Sequence, residues 1–314
     1  MPLARANIEG CLLGTLVGDS LGGRVEGLTL APLSHRYPNE AAVLELVPAR
    51  YSGASEMTAA VAASLVRFPD FNAADMAAEL ARRADLDRRY GHGTHAVLER
   101  LRAGEPWQTA SVGPGGRTSF GNGAAVRSAP IGLLYAHDVD TLRWIAEEAA
   151  ALTHRHALAC EGAVLQAVAV ALAASSTRRP IDGAEFLLAV GAQSQMREYR
   201  SRYETGARLV ERDTDARGIV DRLGNGRTAL GSVVTAAFCF ARHPESFERA
   251  IGAAVALGGD ASSIAAMTGA ISGASLGASR IPSRWLDRLD DGPSGRASLI
   301  ELAAGLVAAQ QRIH

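Results

Sequence analysis

Carboxylates set among glycines and alanines are the residues of this chain best placed to do chemistry. Asp19 stands in VGDSLGGRVEG, seven residues before Glu26. If one helix persists, two turns separate them and they share a face, although Gly22 and Gly23 can end it. A carboxylate in such surroundings is either held by hydrogen bonds for structural reasons or belongs to a site. Asp260 follows Gly258 and Gly259 in ALGGDASSIAAM, just before a helix expected to start near Ser262 or Ser263. It has two readings. One is a cap or acidic first turn, worth about 0.5 to 2 kcal/mol through the helix dipole; the other is a ligand-binding carboxylate.

Two further segments carry polar groups of the right kind. TSFGNGAAVRSAP joins a glycine-rich loop to a helix, so its exposed amides suit an anion such as a diphosphate. Phe120 beside Gly121 can stack on a ring or simply pack. YGHGTH offers His92 and His95, and LTHRHALACEG offers His154, His156 and Glu161, but none makes the HExxH pairing of a zinc site. The sequence leaves open whether His92 and Arg127 face a ligand pocket; the preferred readings are a loop residue and a helix-surface residue. No GxSxG elbow and no reactive cysteine context is present.

Composition excludes several classes. None of the 32 basic residues is a lysine, which removes Schiff-base and P-loop lysine chemistry. The net charge is -1 with both signs interspersed, so no nucleic-acid footprint is present. Cys11, Cys160 and Cys239 are far apart in apolar runs, which gives neither a zinc spacing nor a disulfide framework. With no leader-like start, and with the apolar run GAVLQAVAVALAASS read as too short to span a bilayer, a cytoplasmic protein without membrane contact is expected.

The elements that must position these residues are helices. Met57, Val61 and Leu65 share a helical face, as do Val97 and Leu101, and Ile264, Met267 and Ile271. Alternation of period two is scarce and alanine abundant. Turn chemistry in PLSHRYPNE, SVGPGGRTSFGNG, SSTRRPIDG and DDGPSGR separates the segments. The expectation is one all-α domain over residues 1–314 with about a dozen helices. GCLLGTLVGDSLGG and GAISGASLGAS place small residues at nearly every third or fourth position, which permits close approach of a neighbouring backbone and marks both runs as central packed helices.

In order along the chain, GCLLGTLVGDSLGGRVEG, RRYGHGTHAVLERLRAG, SFGNGAAVRSAPIGLLY, LTHRHALACEGAVLQAVAVALA and ALGGDASSIAAMTGAISGASLGASRIPSRW resemble the motifs of the ADP-ribosylglycohydrolase family, of the dinitrogenase-reductase-activating type. The resemblance implies an all-α fold in which two magnesium ions, held by a T-D-D-T and a D-T-D-T motif, position substrate and water at the anomeric carbon of ADP-ribose. It also implies that Ser119, Phe120, Gly121, Asn122, Gly123 and His154 lie beside the ADP portion of a ligand.

Against that pattern the chain departs at the metal motifs. Ser52, Gly53, Ala54 and Ser55 stand for T-D-D-T, and Asp260, Ala261, Ser262 and Ser263 for D-T-D-T. Three carboxylates are absent, so the resemblance with these departures implies a degenerate metal site and no cofactor. Two dications bring four positive charges, and Asp260 with Glu26 supplies only two negative ones. Glu56 is new but lies one residue beyond the motif. The leading expectation is binding of ADP-ribose or a related ribosyl nucleotide, free or on an ADP-ribosylated protein, without the family's magnesium-dependent hydrolysis. The alternative is a metal-independent ribosyl hydrolase using Asp260 or Glu26 as base and stabilising charge. A third reading is a scaffold whose pocket is plugged, with Arg24 or Arg50 filling the cation space.

Overall fold

Glycine and alanine every fourth residue let two helices meet backbone to backbone. In helix Arg5–Gly22, Gly10, Gly14, Gly18 and Gly22 face Gly273, Gly269, Ala265 and Ala261 of helix Ala261–Leu276. A Cβ added at any of these four glycines would overlap a carbonyl oxygen of the partner. The descending partner numbers make the pair antiparallel, so the end of the first helix lies against the start of the second. Asp19 and Asp260 are thereby brought to one end of the molecule.

The computed structural model describes residues 2–38, 40–176 and 181–313. Asn39 of the expected turn PLSHRYPNE and residues 177–180 of SSTRRPIDG lie outside the described residues, as do positions 1 and 314. Among the described residues there are nineteen α-helices and no strand, only an isolated antiparallel bridge between Gly121 and Thr228. The all-α expectation holds. The helices outnumber the expected dozen because segments such as Trp107–Ala110, Gly123–Val126 and Ser283–Leu286 are four residues long. A single turn shows no hydrophobic period.

Around the central pair pack helices Gly53–Arg67, Ala157–Ser175, Ala229–Arg242, Phe247–Ala256 and Arg296–Ile313, which together close one compact core. Met57, Val61 and Leu65 are buried as their spacing predicts. Helix Ala261–Leu276 is buried nearly all round rather than on one face. Gln166, which interrupts the apolar run, donates from Nε2 to the carbonyl of Met267 at 3.1 Å, so it ties two buried helices together. That run belongs to a 19-residue helix, long and apolar enough to cross a membrane by length and composition. Shortness was therefore the wrong ground for discounting it; 72% of its most apolar stretch is buried inside the protein, as in a core helix.

Candidate functional site

A carboxylate without exposure sits at the head of helix Gly53–Arg67. Asp19 Oδ1 accepts from the Ser52 hydroxyl at 2.6 Å, and Oδ2 accepts from the Ser55 hydroxyl at 2.7 Å. Oδ2 also accepts from the amides of Ser52 at 2.9 Å and Ser55 at 3.2 Å. Burial pushes its pKa up, while these four bonds to the ionised form pull it down, and burial prevails. Of its two readings the structural one holds: Asp19 clamps the first turn of that helix to the central pair. The Ser52 and Ser55 hydroxyls are both committed to it.

Glu26 and Asp260 meet where three loops converge. The amide of Gly27 donates to the carbonyl of Gly259 at 2.8 Å, and that of Gly259 to Leu28 at 2.9 Å. Gly258 and Gly259 have φ of 62° and 66°, and a Cβ on either would overlap the carbonyl oxygen of Leu28 or Asn225. Only glycine serves there. Glu26 Oε2 accepts from the amide and the hydroxyl of Ser262, each at 2.9 Å, at the start of helix Ala261–Leu276. Burial first, and then the neighbouring charge of Asp260, raises the Glu26 pKa.

Asp260 occupies the position before the helix, which begins at Ala261, yet its side chain makes no capping bond. Instead Oδ2 accepts from Asn122 Nδ2 at 2.6 Å, and the same amide group reaches the Ser232 hydroxyl at 2.9 Å. The cap reading of Asp260 therefore fails, and its carboxylate joins the glycine-rich loop.

That loop is pinned by its neighbour. The amide of Asn122 donates to the carbonyl of Arg227 at 3.0 Å, and that of Ala229 to Phe120 at 3.1 Å. Ser119 Oγ accepts from the amide of Gly121 at 3.2 Å. Gly123 starts a one-turn helix against His154, whose Nδ1 lies 2.6 Å from the Thr153 hydroxyl. Burial, helped by the charge of Arg127, depresses the His154 pKa to about 3, so its ring is neutral at physiological pH. Phe120 is 55% exposed and meets the ring of His156 edge-on at 5.8 Å.

Glu26, Asp260, the 119–123 loop and His154 line one open cleft of about 520 Å³. Ser52, Gly53, Ala54, Ser262 and Ser263 border it as well. His92 lines it too, at the start of helix His92–Arg102, rather than standing in a loop. Arg127 does not lie on a helix surface: it is 1% exposed, and Nη2 donates to the Ala149 carbonyl at 2.7 Å. Glu56 does not line the cleft but supports two residues that do: it lies 3.1 Å from Arg88 Nε and accepts from the Tyr90 hydroxyl, and it also accepts from the Asp85 amide. The cleft is not plugged by Arg24 or Arg50. Arg24 donates to the carbonyls of Val47 and Pro48, and Arg50 pairs with Asp85 and Asp290.

The all-α scaffold thus brings a carboxylate pair and a glycine-rich loop to the lining of one cleft. The chain belongs to the ADP-ribosylglycohydrolase family, whose model matches residues 1–313. It is 34% identical over 320 residues to the ADP-ribosylhydrolase ARH3 of Mus musculus, covering 89% of this chain and 86% of that one. It is 25% identical over 292 residues to the ADP-ribosyl-[dinitrogen reductase] glycohydrolase of Rhodospirillum rubrum, covering 90% and 89%. A solved structure described as an ADP-ribosylglycohydrolase-related protein complex superposes with a TM-score of 0.71 at 28% identity, covering 98% of both chains.

Family membership corrects the expectation that no cofactor is involved, because the ADP-ribosylglycohydrolases use magnesium. Glu26, Asp260 and the Ser262 hydroxyl are hard oxygen donors, and the Arg227 guanidinium already stands as a cation 3.8 Å from each carboxylate. On the opposite side Gly53 and Ala54 offer no oxygen, and a Cβ on Gly53 would overlap the ring of Tyr90. Among the described residues no group of three or more His, Cys, Asp or Glu side chains is placed to hold a metal ion.

Arg227 and Tyr90 were missed by sequence reasoning. A signal for Arg227 was present: LGNGRT at 223–228 repeats the G-N-G of the first loop, and the two segments pair at Gly121 and Thr228. Tyr90 carried no such mark.

Proposed function

We propose that this protein binds ADP-ribose or a closely related ribosyl nucleotide, free or on an ADP-ribosylated protein, and has lost the two-magnesium hydrolysis of its family. One observation carries the reading. The anion-suited loop, neutral His154, and the Glu26 and Asp260 carboxylates line a single open cleft, while Gly53, Ala54 and Ser262 stand where ligand carboxylates are needed. Its volume of about 520 Å³ falls within the range of roughly 300 to 1,000 Å³ usual for small-molecule sites. The loop amides suit a diphosphate, and exposed Phe120 suits a purine face.

The hydroxyl and amide of Ser262 orient Glu26, and Asn122 orients Asp260. Ligand binding raises the melting temperature by mass action, so a thermal-shift titration with ADP-ribose tests the reading. A saturable rise, weakened about tenfold by Phe120→Ala through loss of stacking, is expected; no shift at millimolar ligand contradicts it.

A second reading is favoured by the adjacency of the two carboxylates: cleavage of a different ribosyl bond with Glu26 and Asp260 sharing acid and base roles. Turnover of any ribosyl substrate that survives Asp260→Ala unchanged would remove it.

A further inference from the structure

A guanidinium of the protein itself stands where a positively charged group of a ligand would gain most. Glu26 Oε2 is taken up by the amide and hydroxyl of Ser262, and Asp260 Oδ2 by Asn122 Nδ2. The other oxygen of each carboxylate faces Arg227: Nη2 lies 3.8 Å from Glu26 Oε1, and Nε lies 3.8 Å from Asp260 Oδ1. The carboxylates are 12% and 7% exposed, whereas the Arg227 side chain is 72% exposed. Its backbone is held, because its carbonyl accepts from the Asn122 amide and Thr228 bridges to Gly121. The chain thus anchors a positive charge beside the pair and within the lining of the cleft.

We propose that Arg227 sets which charge the cleft accepts beside its carboxylates. Ribosyl nucleotides bearing a neutral or oxygen-linked group on the terminal ribose are admitted; those bearing a cation there, a guanidinium or a pyridinium, are disfavoured. The inference rests on the proposed binding of a ribosyl diphosphate. With the diphosphate on the loop amides, the ribose beyond it comes to the carboxylates, because Asn122 joins the loop to Asp260. A cationic group arriving there meets a second positive charge in partly buried surroundings, where repulsion is screened less than in water. It also finds the oxygens it would pair with already facing Arg227. Placing like charge against an unwanted ligand gives specificity without any new attractive contact.

NAD+ and NADH provide the test, since they share the diphosphate and the terminal ribose and differ at the nicotinamide ring by one positive charge. Affinities of ADP-ribose, NADH and NAD+ are measured by calorimetry in EDTA for the full chain as wild type, Arg227→Gln and Arg227→Lys. The wild type is expected to bind ADP-ribose and NADH, and to hold NADH about tenfold more tightly than NAD+. Arg227→Gln should erase or reverse that preference, whereas Arg227→Lys, which keeps the charge, should retain most of it. The comparison is a ratio within each variant, so a general loss of affinity does not alter it, and thermal unfolding checks that each variant is folded. Binding of none of the three ligands by the wild type would overturn the proposed function and this inference with it. Binding of ADP-ribose without NADH, no preference for NADH over NAD+, or a preference unchanged in Arg227→Gln would overturn this inference alone.

Discussion

Tyr90 and Gly53 illustrate how one residue forecloses another. The Gly53 amide donates to the Arg89 carbonyl at 3.0 Å, which sets the Tyr90 ring over Gly53, and Glu56 holds the Tyr90 hydroxyl. Gly53→Asp alone is expected to destabilise by about 2 kcal/mol through overpacking. Tyr90→Ala in the same chain should recover part of that loss, the non-additivity expected of touching residues; additive values in chemical denaturation would refute the contact. His154 gives a second test. With its pKa depressed to about 3, its ring carbons should show no NMR titration between roughly pH 5 and 8; a midpoint near 6.5 would contradict the burial assigned to it. Position in the cleft was legible at Glu26 and Asp260 from residue type and setting, and at Asn122 from the family resemblance. It was not legible at Tyr90, whose role depends on a neighbour 37 positions away.

Helix pairing shows the opposite balance. The spacing of small residues announced that Arg5–Gly22 and Ala261–Leu276 are central, and their glycines do meet backbone to backbone. Gly18→Val is therefore expected to cost about 3 kcal/mol or more, because nothing in the opposing backbone can yield; a loss under 1 kcal/mol in urea denaturation would contradict the packing. Asp19→Ala is expected to cost a similar amount. It strips the partner from two amides and two hydroxyls that stay buried. The sequence left Asp19 open between structure and site because its partners, Ser52 and Ser55, sit in the segment where metal ligands were sought. Elements of a single turn were invisible for want of a period to detect, and one of them, Gly123–Val126, lends Gly123 and Val126 to the cleft.

At the scale of the molecule, acid sensitivity follows from two groups. Glu79 is pushed up by burial but pulled down further by Arg82, Arg83 and Arg67, from an ordinary 4.5 to about 2. An acid with a lowered folded pKa contributes stability above its ordinary value and loses it as pH falls toward the folded one. His154 acts over a higher window. The unfolded chain takes a proton below about 6.5, and the folded chain not until about 3. Stability should therefore decline from roughly pH 6.5 and more steeply below 4.5, and Glu79→Gln should flatten the lower limb only. Unchanged acid melting in Glu79→Gln would refute the cluster's role.

The whole account turns on the proposal that the cleft binds ADP-ribose without magnesium-dependent hydrolysis. The direct measurement is calorimetric titration with ADP-ribose, with and without magnesium, followed by product analysis on an ADP-ribosylated protein. Saturable binding under both conditions, with magnesium altering affinity but not releasing product at a rate typical of an enzyme, is the predicted result. Magnesium-dependent release of ADP-ribose at such a rate, or no heat at millimolar ligand, would contradict it.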